Sequence, residues 1–203
     1  MSDPPFKVAL TIDAEHADQP RSEAIEPLLI ETLRRERVRA TFFLQGRWAS
    51  ANPGMVARIS RDGHLVGNHS HHHAPMTLLT DDGIAADVTA AEQAITASGG
   101  GGPRPWFRCP YGDGHDDQRV LTVLSGLGYR DHHWDVDPRD WKPGRTESEL
   151  VTTVLSGVDE HRDGAVVLLH SWPAVTARAL PMLISELRRI GAQPVGLDEV
   201  VGS

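Results

Sequence analysis

The sequence predicts a single α/β domain closed into a barrel, on three observations. Short β-rich apolar runs alternate with helical segments from Phe6 to Leu197. At 203 residues the chain is long enough for one domain with a sizeable core, and neither an internal repeat nor a composition shift marks a second, so residues 1–203 are read as one domain. Asp13, His69, Arg108, Asp137 and His170 each fall at or just beyond the C-terminal end of a different expected strand, the face on which a closed α/β barrel builds its active site. An open sheet would spread them along one edge, with one crevice where the strand order reverses.

The elements follow in order. FKVALTID, from Phe6 to Asp13, is an apolar strand ending on a carboxylate, and the polar run to Pro20 is its loop. Ile25 to Arg37 has apolar residues at helical spacing and arginines in its last turns; Val38 to Leu44 is strand-like again. A helix is expected over Asn52–Arg61, a short strand over Leu65–His69 and a helix over Asp81–Ser98. The run Gly99 to Pro103 is a loop and not a phosphate loop, because it follows a helix and lacks a Gly-Lys-Ser/Thr ending. Pro105 to Pro110 is extended, His115 to Leu127 helical, Tyr129 to Trp134 a strand and Glu147 to Val158 a helix. Ala165 to His170 is a buried strand, Pro173 to Ile190 a helix with proline near its start, and Gln193 to Leu197 a seventh strand.

Composition excludes several classes. A net charge of -8 argues against nucleic acid, which needs a basic face, and no apolar run approaches the length of a membrane helix. The one cysteine, Cys109, allows no internal disulfide. Residues 1–5 show neither the basic nor the apolar region of an export signal, so the cytoplasm is expected; a chain trimmed of its signal would read the same.

The chemistry concentrates at Gly67-Asn68-His69-Ser70-His71-His72-His73, where four of eleven histidines lie in five consecutive positions. If the segment after Ser70 turns helically, His69 and His73 become i and i+4 neighbours able to reach one ion, while His71 and His72 point elsewhere. A solvated histidine cluster is the bland reading; a catalytic site needs a third, carboxylate ligand and an open position.

These residues carry a pattern that resembles the polysaccharide deacetylases, the NodB-homology domain of carbohydrate esterase family 4. The five motifs are Thr11-Ile12-Asp13-Ala14-Glu15, His69-Ser70-His71-His72-His73, Arg108-Cys109-Pro110-Tyr111-Gly112, Asp137-Pro138-Arg139-Asp140-Trp141 and Leu168-Leu169-His170, in family order. The resemblance implies a distorted (β/α)7 TIM-like barrel and a hydrolase that removes the acetyl group from an N-acetylated amino sugar or glycan, with metal-bound water attacking the amide carbonyl. It assigns Asp13 as general base, Arg108 as the partner of that base, the Tyr111 backbone N–H to the developing oxyanion, His170 as the acid for the leaving amine and Asp140 as its partner. Trp141, Pro110, Leu168 and Trp172 are its candidates for lining the sugar site. Two histidines and a carboxylate suit Zn²⁺, and also admit Co²⁺, Mn²⁺ or Ni²⁺.

One departure matters. Family members usually place a second Asp after the base, and this chain has Ala14, which cannot bind a metal. Either Glu15 joins His69 and His73 as the ligand, or the alanine marks a weakened barrel that holds a glycan or metal without turnover. O-acetyl ester hydrolysis uses the same tetrahedral chemistry and stays open beside amide hydrolysis. The substrate, polymer or small molecule, and the oligomeric state are not written in these residues.

Overall fold

The computed structural model describes residues 5–16 and 24–201; the expected loop residues 17–20 and the first four residues of the N-terminal reading lie outside them. The described residues form seven strands and seven α-helices: β1 Phe6–Ala14, α1 Ile25–Glu36, β2 Thr41–Leu44, α2 Gly46–Ala51, α3 Pro53–Arg61, β3 Leu65–Asn68, α4 Asp81–Ala97, β4 Trp106–Phe107, α5 Gln118–Gly126, β5 Arg130–Asp131, α6 Glu147–His161, β6 Ala165–His170, α7 Ala174–Arg189 and β7 Ala192–Val195. The α/β class read from the sequence is the one observed. The strands form a sheet in the order β5-β4-β3-β2-β1-β6, with β7 also paired to β1, and the β1–β7, β3–β4 and β4–β5 registers are parallel.

By internal contacts the chain forms two compact units. One comprises Met1–Ile12, Ala17–Thr41 and Trp134–Ser203; the other, Asp13–His16 and Phe42–His133.

In the first unit, α1 ends where Arg37 turns left-handed (φ 55°) and its N–H bonds back to the Arg34 carbonyl. Val38 N–H still bonds to the Leu33 carbonyl, so the strand expected from Val38 begins only at Thr41. Helix α6 starts on a capping box, Thr146 with Glu149, and runs on to His161, past the expected Val158. Asp137, expected at or just beyond the end of the strand read over Tyr129–Trp134, lies well past β5; it follows Val136, which makes an isolated parallel bridge to Val167.

In the second unit, one core cluster joins Met76, Ile84, Val88, Phe107, Val120, Leu124 and Tyr129, each 1% exposed or less. Burying each of these large side chains contributes roughly 1.5–3 kcal/mol. The cluster seats α4 and α5 against β4, which fixes where the chain after β3 and β4 must emerge. Helix α5 begins later than expected, at Gln118, because the Asp117 carboxylate accepts the N–H groups of Arg119 and Val120. Helix α2 was not expected at all: six residues beginning with glycine carry too little periodicity to be read.

Candidate metal centre

The end of β1 presents two carboxylates two residues apart. Successive side chains of a strand alternate faces, so Asp13 and Glu15 point the same way and Ala14 the other. The distances agree: His69 Nε2 lies 3.6 Å from Asp13 Oδ2 and 3.7 Å from Glu15 Oε2. Ala14 is fully buried in the core.

His69 leaves β3 with its N–H on the Leu44 carbonyl. The chain then does not turn helically, which corrects the expectation for the residues after Ser70. Ser70 and His73 both adopt left-handed backbone (φ 61° and 60°), and no α-helix covers the segment. The turn is closed locally by Ser70 N–H on Asn68 Oδ1 (2.9 Å) and His73 N–H on Ser70 Oγ (2.9 Å). The two imidazoles still converge, with His73 Nε2 3.1 Å from His69 Nε2 and 2.6 Å from Glu15 Oε2.

One ligand atom from each of Glu15, His69 and His73 falls within 4.8 Å of the other two. A tetrahedral ion with bonds near 2.0–2.1 Å needs ligand atoms about 3.3 Å apart, so small side-chain adjustments suffice. The donor set also fits. His69 Nδ1 lies 2.9 Å from the Arg108 carbonyl, which can only accept, so in the neutral ring Nδ1 carries the hydrogen and Nε2 has the lone pair that a cation would take in place of a proton. Burial raises the Glu15 carboxyl, but the hydrogen bonds and charges of His69 and His73 outweigh it and hold the group well below the usual carboxylate range. The His69 ring is pushed down by burial and, more strongly, up by Asp13 and Glu15, so its net shift is upward. Two imidazoles and two carboxylates this close behave as a site built for positive charge.

Arg108, fully buried, follows β4 and donates from Nη1 to Asp13 Oδ1 at 2.9 Å and from Nε to the His132 carbonyl at 2.9 Å. Its guanidinium lies 4.3 Å from the Phe43 ring centroid. The fork is therefore shared between Asp13 and the backbone after β5. Pro110 is buried, and Tyr111 sits at the left-handed point of the following turn (φ 58°), 66% exposed, with its ring 4.4 Å from the His73 ring.

The other expected residues belong to the first unit. His170 Nδ1 and Asp140 Oδ1 are 2.7 Å apart; the second carboxylate oxygen accepts from His170 N–H at 2.8 Å and from Thr176 Oγ1 at 2.6 Å. Trp172 packs 6.0 Å from the His170 ring, Trp141 is 41% exposed, and Leu168 is buried in β6.

Sequence reasoning passed over two contributors. Asp87, on α4, accepts the N–H groups of His71 and His72, and Gly46, at the start of α2, donates to the Ser70 carbonyl. Asp87 was findable: it is a carboxylate inside the apolar stripe Ile84, Val88, Ala91, Ile95. Gly46 carried no such signal.

The chain is similar to known proteins in both sequence and fold. The sequence profile described as polysaccharide deacetylase matches residues 2–132. A peptidoglycan-N-acetylglucosamine deacetylase of Listeria monocytogenes is 33% identical over 196 residues, 97% of this chain but 39% of the relative, so the chain spans about two fifths of that protein. Among solved structures, a family 4 carbohydrate esterase from Streptomyces lividans in complex with acetate has 32% identity and a TM-score of 0.81, covering 93% of this chain and 91% of the other. A family 4 pseudoenzyme from Bacillus anthracis has 28% identity and a TM-score of 0.85, covering 98% and 66%. With five motifs in order, the shared fold and the profile match over more than half its length, this chain belongs to the polysaccharide deacetylase family.

Proposed function

We propose that this chain hydrolyses the N-acetyl group of an amino sugar in a glycan, using a divalent metal held by Glu15, His69 and His73. The observation that carries the reading is the convergence of those three ligand atoms within 4.8 Å, beside a carboxylate fixed by a buried arginine. The similarity to a peptidoglycan-N-acetylglucosamine deacetylase supports the substrate class.

The metal, when bound, supplies Lewis acidity to the acyl carbonyl. The remaining work falls to the protein. Arg108 holds Oδ1 of Asp13, which leaves Oδ2 as the oxygen that accepts the proton of the attacking water. The Tyr111 N–H is the proposed donor to the oxyanion. The resemblance gives the proton for the departing amine to His170. Within its own unit, Asp140 anchors Nδ1 of that ring, so Nε2 is the atom that would carry the proton.

Ala14 and the likeness to a pseudoenzyme favour a second reading, a barrel that binds metal or glycan without turnover. Elemental analysis of wild type and Glu15→Ala, followed by acetate release from chitooligosaccharides and small N-acetylglucosamine glycosides, separates the two. About one metal per wild-type chain, little in the variant, and acetate from the loaded wild type alone is the expected result. Wild type that stays empty after added Zn²⁺, Co²⁺ or Mn²⁺ and releases no acetate overturns the proposal. Release from O-acetylated sugars only would make the chain an esterase.

A further inference from the structure

Between the two histidine ligands the backbone is irregular and contains its own strain. Ser70 and His73 are non-glycine residues in left-handed backbone, where Cβ crowds the neighbouring carbonyl oxygen. Something outside the turn must hold it. On one side, Gly46 N–H donates to the Ser70 carbonyl at 2.8 Å and Arg47 N–H to the His71 carbonyl at 3.3 Å. On the other, Asp87 Oδ2 accepts His71 N–H at 2.8 Å and Oδ1 accepts His72 N–H at 3.1 Å.

Asp87 is 7% exposed, on the face of α4 that carries Ile84, Val88 and Ala91 into the core. For helix packing alone a carboxylate there is a poor choice, because burying its charge costs more than an apolar side chain would. Its two oxygens are instead matched to two consecutive amides, a charge-assisted pair of bonds that fixes the Ser70–His71 and His71–His72 peptides. The fit is close on the opposite side as well. A Cβ at Gly46 would lie 2.4 Å from His71 Nδ1 and 2.7 Å from the Ala91 Cα, so only glycine lets α2, the turn and α4 approach this far.

We propose that Asp87 is a positioning residue of the metal centre: from α4 it clamps the turn that joins His69 to His73 and so presets the separation of the two imidazoles. The proposal rests on the metal-centre reading above. It assigns Asp87 no contact with metal or substrate; the residue acts through the amides of His71 and His72.

The test is Zn²⁺ affinity of the purified full chain, measured by competition with a chromophoric chelator, for wild type, Asp87→Asn and Val88→Ala. Asn keeps one acceptor and turns an NH₂ toward the second amide, so one bond is lost and two donors face each other. Val88→Ala is the stability control: it removes core volume one residue along the same helix and leaves in place both Asp87 oxygens and the Val88 carbonyl that accepts from Asn68 Nδ2. The expected result is a 10- to 100-fold weaker Zn²⁺ affinity for Asp87→Asn, and an affinity within about twofold of wild type for Val88→Ala, measured well below both unfolding midpoints. Gly46→Ala should weaken binding in the same direction. Wild-type affinity in Asp87→Asn, or an equal loss in Val88→Ala, overturns the positioning role while leaving the metal centre standing. A wild type that binds no Zn²⁺ removes the metal-centre reading and the clamp with it.

Discussion

Asp13 Oδ1 accepts a hydrogen bond from Arg108 Nη1 at 2.9 Å, and both side chains are almost wholly removed from solvent. Breaking a buried pair strands a charge, which typically costs about 3–5 kcal/mol. Arg108→Met should therefore lower the unfolding free energy by about that amount and abolish activity. Asp13→Asn should abolish activity with a smaller loss of stability. The double variant should be more stable than Arg108→Met alone, which denaturant unfolding in a double-mutant cycle will read directly.

Asp140 binds His170 through both its side chain and its main chain. Asp140→Asn should lower kcat by roughly tenfold to a thousandfold, in the range of a mispositioned acid catalyst. Metal content should not change, because no ligand of the metal depends on Asp140. Thr176→Val, which removes one donor to the same carboxylate, should produce a smaller loss of the same kind. Elemental analysis beside steady-state kinetics checks both.

The His132 ring, whose Nε2 is buried without a hydrogen-bond partner among the described residues, is held down to about 4 from an ordinary 6.5. Burial is the main cause; Arg108 and Arg130 add to it and Asp131 opposes it. Between those two values the unfolded chain takes up a proton that the folded chain refuses. Stability should therefore fall as pH drops from about 6.5 toward about 4 and this contribution should level off below. For a partly exposed ring the effect is on the order of 1–2 kcal/mol. His132→Phe should flatten the slope of melting temperature against pH across that window.

Gly67 lies in β3 where an added Cβ would sit 2.6 Å from Phe43 Cδ1. Phe43 is the ring beneath the Arg108 guanidinium. Gly67→Ala should cost about 1–3 kcal/mol by overpacking, and it should reduce activity through Arg108 as well as stability. Thermal unfolding and kinetics of the one variant test both halves.

What was legible in the sequence was whatever repeats or is bounded by strong local chemistry. Helices α4 and α7 were found within a residue or two of their ends because their apolar periodicity is long. Strands β4 and β5 are only two residues each, and their expected extents were too generous: the chain leaves β4 at Arg108, and Tyr129 beside β5 belongs to the core. Glu15 could be read as a candidate ligand from its place one residue beyond the missing carboxylate, and its carboxylate lies with His69 and His73. The shape of the His69–His73 turn could not, since a left-handed Ser70 has no signature in composition. Asp87 stood out as a carboxylate in an apolar stripe, but its role, like that of Gly46, was hidden for a different reason: the partners are backbone amides and carbonyls of a distant segment, and backbone groups are the same at every position.

A designer who copied the five residues from His69 to His73 onto an α-helix would place the same two imidazoles on a different backbone, with rings and lone pairs aimed by helical geometry and not by two left-handed residues. The smallest graft that could keep this site includes a glycine-led helix start on one side of the loop and an acidic helix face on the other. In a host lacking either, the histidines would be present and the angle between them would be left to chance.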